Sequence, residues 1–243
     1  MQTTDIVMDT AGNRLPLLRR SVEAISERTT SPYRLRVIDD ASTDGTAAYL
    51  RSLHRTGKTG RPLIRKKRLG IPANWNAIPR MTTSDIIVYT NGDVLCPKTN
   101  PDWLVFGLKA LDRHCDLGML SLNSPMCNAK KVLRITGRRK GIVITDRVPS
   151  FFLFIRRDLM LKIKLPKIGG KIAEISMTET YAKIDHMWSR MARHFGYKVG
   201  YLSGIYCWHF GTHSLRTGRN LSHWIHQPIN LDTLEPQKRY RGQ

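Results

Sequence analysis

Three short apolar runs in this sequence end on carboxylates. DIVMD closes on Asp9, with Thr10 next. RLRVID closes on Asp39 and is followed by Asp40. DIIVYTNGDVL carries Asn91 and Asp93 just beyond its apolar core. Oxygen-rich side chains gathered at strand ends can hold a hard divalent cation, grip a hydroxyl-rich ligand, or take a proton from an attacking hydroxyl. Asp and Asn also supply ordinary turns, so any one of these sites read alone is equally a turn. Farther on, IDHMW presents Asp185 and WHFGTHS presents His209, a carboxylate and an imidazole able to join such chemistry.

The elements that must position these residues follow from periodicity. Residues 5–9 read as a strand. Leu15, Leu18, Val22 and Ile25 are spaced for a helix over 14–28. Residues 34–39 form a second strand, and DDASTDGT then supplies turn and cap residues, with Asp44 or Thr46 capping the helix AAYLRSL. A third strand spans 62–64, and a helix starts near Ala73 with Pro72 in its first turn. Residues 85–90 are the next strand. This alternation predicts an α/β fold with a doubly wound, mostly parallel, Rossmann-like sheet flanked by helices. Ligands of such sheets sit beyond the carboxyl ends of the strands. Three acidic strand ends on one edge therefore point to a site more than to turns. The second half is less regular. It reads as a helix over 103–114, a strand over 117–123 and a basic hairpin or loop over 128–147. A strand over 151–160 then runs into a basic turn, a helix over 184–198 is closed by Gly196, and a strand-like stretch covers 199–214.

Charge is the unusual compositional feature. Lys and Arg number 40 against 19 Asp and Glu, a net of +21. That excess exceeds what solubility needs and points to a polyanionic partner. Residues 130–171 alone hold 13 Lys and Arg against two acids, Asp146 and Asp158. The four cysteines are scattered without metal spacing, as for free thiols with no disulfide partner. No apolar run is long enough to insert stably in a membrane. The expected location is cytoplasmic, that of a bacterial host if the chain is viral.

In order along the chain, VIDDASTDGT (37–46), RLGIPANWNAI (68–78), IIVYTNGDVLCPKTNPDWL (86–104), FFLFIRRDLM (151–160), YAKIDHMWSRMARHFGYKVGY (181–201) and WHFGTHS (208–214) resemble the successive motifs of family 2 glycosyltransferases with the GT-A fold. The resemblance implies one GT-A domain over 1–214. Its nucleotide-sugar-binding half would be 1–95 and its acceptor-side extension 96–214, with a basic tail over 215–243. It implies a UDP-sugar donor and Mn²⁺ or Mg²⁺, held by Asp93 and His209. Asp40 first, then Asp39, would contact base or ribose, with Asp9, Thr10, Asn74, Asn76 and Asn91 lining the nucleotide. Asp185 would be the base of an inverting transfer. Two departures stand out. Asn91 and Gly92 precede a single Asp93 where the family's motif usually holds two carboxylates, and Ile184 precedes Asp185 where a Glu is common.

The same residues have plainer readings. Asp39 and Asp40 suit turns, Asn74, Asn76 and Asp185 suit helix caps, and His209 could pack with Trp208 and Phe210. For the acceptor, the charge favours DNA carrying a 5-hydroxymethylpyrimidine, a modification associated with bacteriophages. Trp188, Trp208 or Trp224 could stack on a flipped base, or simply pack. A surface-polysaccharide or lipid-linked transferase is the alternative, and a non-catalytic nucleotide- or nucleic-acid-binding module is the second.

Overall fold

The structure, a computed structural model, describes residues 2–124, 133–163 and 177–210. Part of the expected basic loop, residues 211–214 and the 215–243 tail lie outside these residues, as does Trp224. The first half alternates as the periodicity predicts: β1 (Thr4–Thr10), α1 (Leu15–Arg28), β2 (Tyr33–Asp39), α2 (Thr46–Arg55), β3 (Leu63–Ile64), α3 (Ile71–Met81) and β4 (Ile86–Asn91). The second half adds β5 (Val94–Leu95), α4 (Trp103–Arg113), β6 (Leu117–Asn123), β7 (Ile135–Arg139), β8 (Ile142–Thr145) and β9 (Phe152–Arg156). It closes with α5 (Arg157–Lys162), α6 (Met177–His194), β10 (Lys198–Tyr206) and β11 (Trp208–His209).

Nine strands form one sheet in the order β3-β2-β1-β4-β9-β6-β10-β8-β7, and β11 pairs with β5 apart from it. Only β9 and β8 run against the others, so the sheet is mostly parallel. β1 is central in the first half and apolar throughout its middle because both its faces are covered. Ile6 and Met8 pack with Leu17, Leu18 and Ile25 of α1 and Leu50 of α2, while Val7 between them packs with Trp75 and Ile78 of α3. The period-2 alternation of a strand thus sends neighbouring side chains into two separate cores.

α3 starts at Ile71, with Pro72 in its first turn as expected, because Gly70 adopts φ 79° and turns the chain into the helix there. Two expected elements are corrected. Residues 157–162 form a short helix where a turn was expected. The helix expected over 184–198 begins at Met177, so Asp185 lies inside it and is not its N-cap. Its end does fall at Gly196 (φ 82°), where Tyr197 N–H reaches Ala192 and Gly196 N–H reaches Arg193, a Schellman closure.

The N-cap of α2 is Gly45, not Asp44 or Thr46, and that of α1 is Arg14; neither caps with its own side chain, and Asp44 serves both helices from outside. Asp44 accepts from Thr46 N–H and Oγ1 at the start of α2 and, with its other oxygen, from Leu15 N–H at 2.8 Å at the start of α1. One carboxylate therefore anchors two helix N-termini. Burial pushes its pKa up, but these bonds outweigh burial and hold it below the usual value. Asp44→Ala should cost about 1–2 kcal/mol at pH 7. The folded-state pKa is depressed, so this contribution is present above the unfolded pKa and fades as pH falls below about 4. Urea unfolding of both proteins at pH 7 and pH 3 should show the gap shrink at the lower pH.

Candidate active site

The expected residues of β1, β2 and β4 meet at one sheet edge. Asp9 stands in register with Asn91, and Thr10 with Asp39. Beyond β4 the chain turns at Gly92, whose N–H donates to Asp9 C=O at 2.7 Å and whose C=O accepts from Ser21 Oγ at 3.0 Å. A Cβ at Gly92 would lie 3.0 Å from the Thr10 side chain and 3.3 Å from Leu18. The middle position of Asn-Gly-Asp is thus small because the first strand and first helix close over it.

The turn delivers Asp93, which is 4% exposed. β5 follows, and β11 pairs with it so that His209 lies opposite Val94. His209 Nε2 comes 3.5 Å from Asp93 Oδ1, and Arg14 Nη1 comes 3.2 Å from Asp93 Oδ2. Burial raises the Asp93 pKa, but His209 and Arg14 outweigh it and hold the carboxyl below its usual range. The His209 ring stacks on Phe151 at 4.6 Å.

Ser150 and Phe151 join this corner to Asp185. Ser150 N–H donates to Asp185 Oδ1 at 3.1 Å, and Phe151 C=O accepts from Asn91 N–H at 3.1 Å and from Thr90 Oγ1 at 3.2 Å. One turn after Asp185, Ser189 Oγ accepts from Val148 N–H at 3.0 Å. Two adjacent residues therefore touch the acidic strand, the imidazole and the helix carboxylate. Burial pushes Asp185 up to about 7, against the pull of its Ser150 contacts, Arg147 and His209. A carboxyl poised there is suited to general-base work near neutral pH.

The nucleotide-side residues divide by what they hold. Both oxygens of Asp40 accept backbone N–H groups, from Leu69 at 2.9 Å and Gly70 at 2.8 Å, with Arg65 Nε 3.7 Å away. Asp40 thereby anchors the entry to α3. Asp39 Oδ1 accepts from Ser42 N–H at 3.1 Å, while Oδ2 is buried without a hydrogen-bond partner. Asn74 is buried and serves Asp9: its Nδ2 donates to Asp9 Oδ1 at 3.0 Å, and its Oδ1 accepts from Arg65 Nε at 2.6 Å. Tyr89 O–H donates to Asp9 Oδ2 at 3.1 Å. Asn76 lies half-buried two residues along α3. Trp188 is a core residue, stacked on Trp75 with centroids 3.7 Å apart.

On this edge Asp93 and His209 are spaced as two ligands of one divalent cation would be. Two ligands about 2.1 Å from a small ion are separated by roughly 3.0–3.4 Å, close to the gap between Asp93 Oδ1 and His209 Nε2. Among the described residues no group of three or more His, Cys, Asp or Glu could hold a metal. The remaining ligands would therefore come from a bound phosphate group and water. Arg14, Tyr89, Ser150 and Phe151 were not anticipated from sequence. Arg14, in the segment after β1, carried the one usable signal, a cation next to an acidic strand end.

The profile of glycosyl transferase family 2 matches residues 6–160, well over half of the chain. The chain belongs to that family, and its sheet is the GT-A fold of nucleotide-sugar-using enzymes. A mannosyltransferase from Pyrobaculum calidifontis, solved with GDP-Man and Mn²⁺, superposes with a TM-score of 0.65 at 19% identity over 92% of this chain and 64% of its own. The S. aureus protein TarS (residues 1–349) with UDP-GlcNAc gives 0.60 at 13% identity over 85% of this chain and 57% of its own. GalNAc-T7 with UDP, GalNAc and Mn²⁺ gives 0.62 at 11% identity over 85% of this chain and 43% of its own. The chain thus spans less than two thirds of the length of these structures. No curated protein matches it in sequence.

Burial pushes Asp9 up to about 7, aided by the charge of Asp40 and opposed by the bonds from Tyr89 and Asn74. The folded state then binds this proton more tightly than the unfolded state, so Asp9 makes stability fall as pH rises from about 4 to 7. Asp9→Asn removes that term. Urea unfolding at pH 5 and pH 8 should show the variant gaining on the wild type at the higher pH.

Proposed function

We propose that this chain transfers a sugar from a nucleotide-sugar to an acceptor hydroxyl in a single inverting displacement. One observation carries the reading: Ser150 N–H holds Asp185 at 3.1 Å while the adjacent Phe151 stacks on His209, which lies 3.5 Å from Asp93, so the carboxylate that would face the leaving diphosphate and the one that would face the acceptor belong to one cluster. Asp93 and His209 would hold Mn²⁺ or Mg²⁺, which when bound stabilises negative charge on the departing diphosphate. The nucleotide lies along the ends of β1, β2 and β4. Within the Asp39–Asp40 pair we favour Asp39. The support is that one Asp39 oxygen, though buried, has no hydrogen-bond partner, while both oxygens of Asp40 hold the α3 loop. Thr10 and Asn91 border this crevice, and Asp9 and Asn74 brace it. Asp185 accepts the acceptor's proton as its oxygen attacks the anomeric carbon.

The acceptor is a 5-hydroxymethylpyrimidine of DNA, and the support is charge. The net of +21 suits repeated phosphate contacts. Not all of the basic span serves that purpose. Arg139 makes a bidentate pair with Asp116, Arg156 donates to Leu117 and Leu111 carbonyls, and Arg157 donates to Thr82 and Pro79 carbonyls. Arg134, Arg138 and Lys140 are exposed on and beside the β7–β8 hairpin at the sheet's edge and remain available for phosphate. Among the described residues no helix is long and apolar enough to cross a membrane.

Radiolabelled UDP- and GDP-sugars with Mn²⁺ test this, offered duplex DNA with and without 5-hydroxymethylcytosine. Label on the modified DNA alone is expected. Donor hydrolysis without DNA labelling would keep the transferase and remove the DNA acceptor. Asp185→Asn should lower kcat by roughly 10²–10⁴ with little change in nucleotide affinity. The wild-type rate should rise with pH through about 7, as Asp185 loses its proton, and the variant should lack that limb.

A further inference from the structure

We propose that Arg14 is the protein's own cation for the donor diphosphate, and that its pair with Asp93 keeps the site charge-balanced until a nucleotide arrives. The inference rests on the donor-site reading above and deepens it. Arg14 stands at the N-cap of α1, directly behind β1. Its Nη1 lies 3.2 Å from Asp93 Oδ2, while His209 takes the other oxygen of the same carboxylate. The Asp93 side chain is 5% exposed and that of Arg14 is 27% exposed, so of the two partners Arg14 is the one solvent and a ligand can reach. The contact uses one of five N–H donors in a fork that matches phosphate geometry.

Charge decides what this pair does. A site with two carboxylates is neutral once a divalent ion binds. Here Asn91 stands where one carboxylate would be, and Arg14 neutralises the other. With the same ion bound, the site carries two more positive charges, which favours a diphosphate. Without the ion, Arg14 is still present. Asp93, already shared with Arg14 and His209, is a weak ligand for a bare cation. The pairing therefore predicts a site that takes its nucleotide with or without metal and gains metal affinity once the diphosphate draws Arg14 away from Asp93. An arginine serving only as the counter-ion of a buried carboxylate predicts none of this.

Calorimetric titration of the full chain with UDP and with GDP, in EDTA and in Mn²⁺, separates the two. EPR titration with Mn²⁺ alone runs beside it. The wild type should bind one of these nucleotides in EDTA. Arg14→Gln should weaken that binding by about 10-fold or more, and Arg14→Lys should restore part of it. Arg14→Gln should also bind Mn²⁺ alone more tightly, because Asp93 is freed. Asp93→Asn releases Arg14 and should tighten metal-free nucleotide binding, which gives a second test if Arg14→Gln does not fold. Unchanged nucleotide affinity in Arg14→Gln, no tightening in Asp93→Asn, or wild-type binding that occurs only with Mn²⁺ would each overturn the role of Arg14 and leave the donor site standing. Failure of both nucleotides to bind under either condition would remove the donor site, and Arg14's role with it.

Discussion

Tyr89 is the residue through which core packing becomes site geometry. Its ring meets Trp75 edge-on at 5.5 Å and Trp188 at 6.1 Å, and those two tryptophans stack on each other. Trp75 belongs to α3 and Trp188 to α6, so the cluster fixes against β4 the two helices that carry Asn74 and Asp185. Each such aromatic pair contributes about 0.5–1.5 kcal/mol beyond its buried area. The hydroxyl of the same tyrosine reaches the carboxyl end of the sheet and bonds Asp9. Loosening the ring cluster would release Asn74, Asp9 and Asp185 together.

Burying carboxylates is the second constraint, and each is met differently. Asp5 lies at the other end of β1, fully buried, and is held by Arg34 and by the N–H groups of Thr83 and Ser84. Asp40 is satisfied by backbone and Asp93 by cations. Asp9 and Asp185 are less fully compensated, and burial raises both to about 7. At the carboxyl edge of the sheet an acid held ionised, Asp93, thus stands close to one that can exchange a proton, Asp9.

Much of the fold was legible in the sequence. The first four strands and three helices fall within a few residues of where periodicity puts them, because β1 and β4 are apolar on both faces and α1 has a clear stripe. The strand-end rule of parallel sheets also brought Asp9, Asp39, Asn91 and Asp93 to one edge. What could not be read was partnership at distance. Arg14 meets Asp93 across 79 positions and Tyr89 meets Asp9 across 80. No local pattern records such pairs. The start of α6 was missed because residues 177–183, MTETYAK, give a weak apolar stripe. Sequence alone ranks Asp40 ahead of Asp39, without sight of its partners, because adjacency in sequence hides that successive side chains leave a strand end in different directions.

These strand ends are proposed as a nucleotide-sugar site closed by Asp93 and His209. A crystal structure with UDP or GDP and Mn²⁺, using manganese anomalous scattering, tests it most directly. The account predicts an anomalous peak bonded to Asp93 Oδ1 and His209 Nε2, the diphosphate beside Arg14, and the nucleoside against Asp39. A nucleotide bound away from the ends of β1, β2 and β4, with Asp93 and His209 still paired to each other, would contradict it.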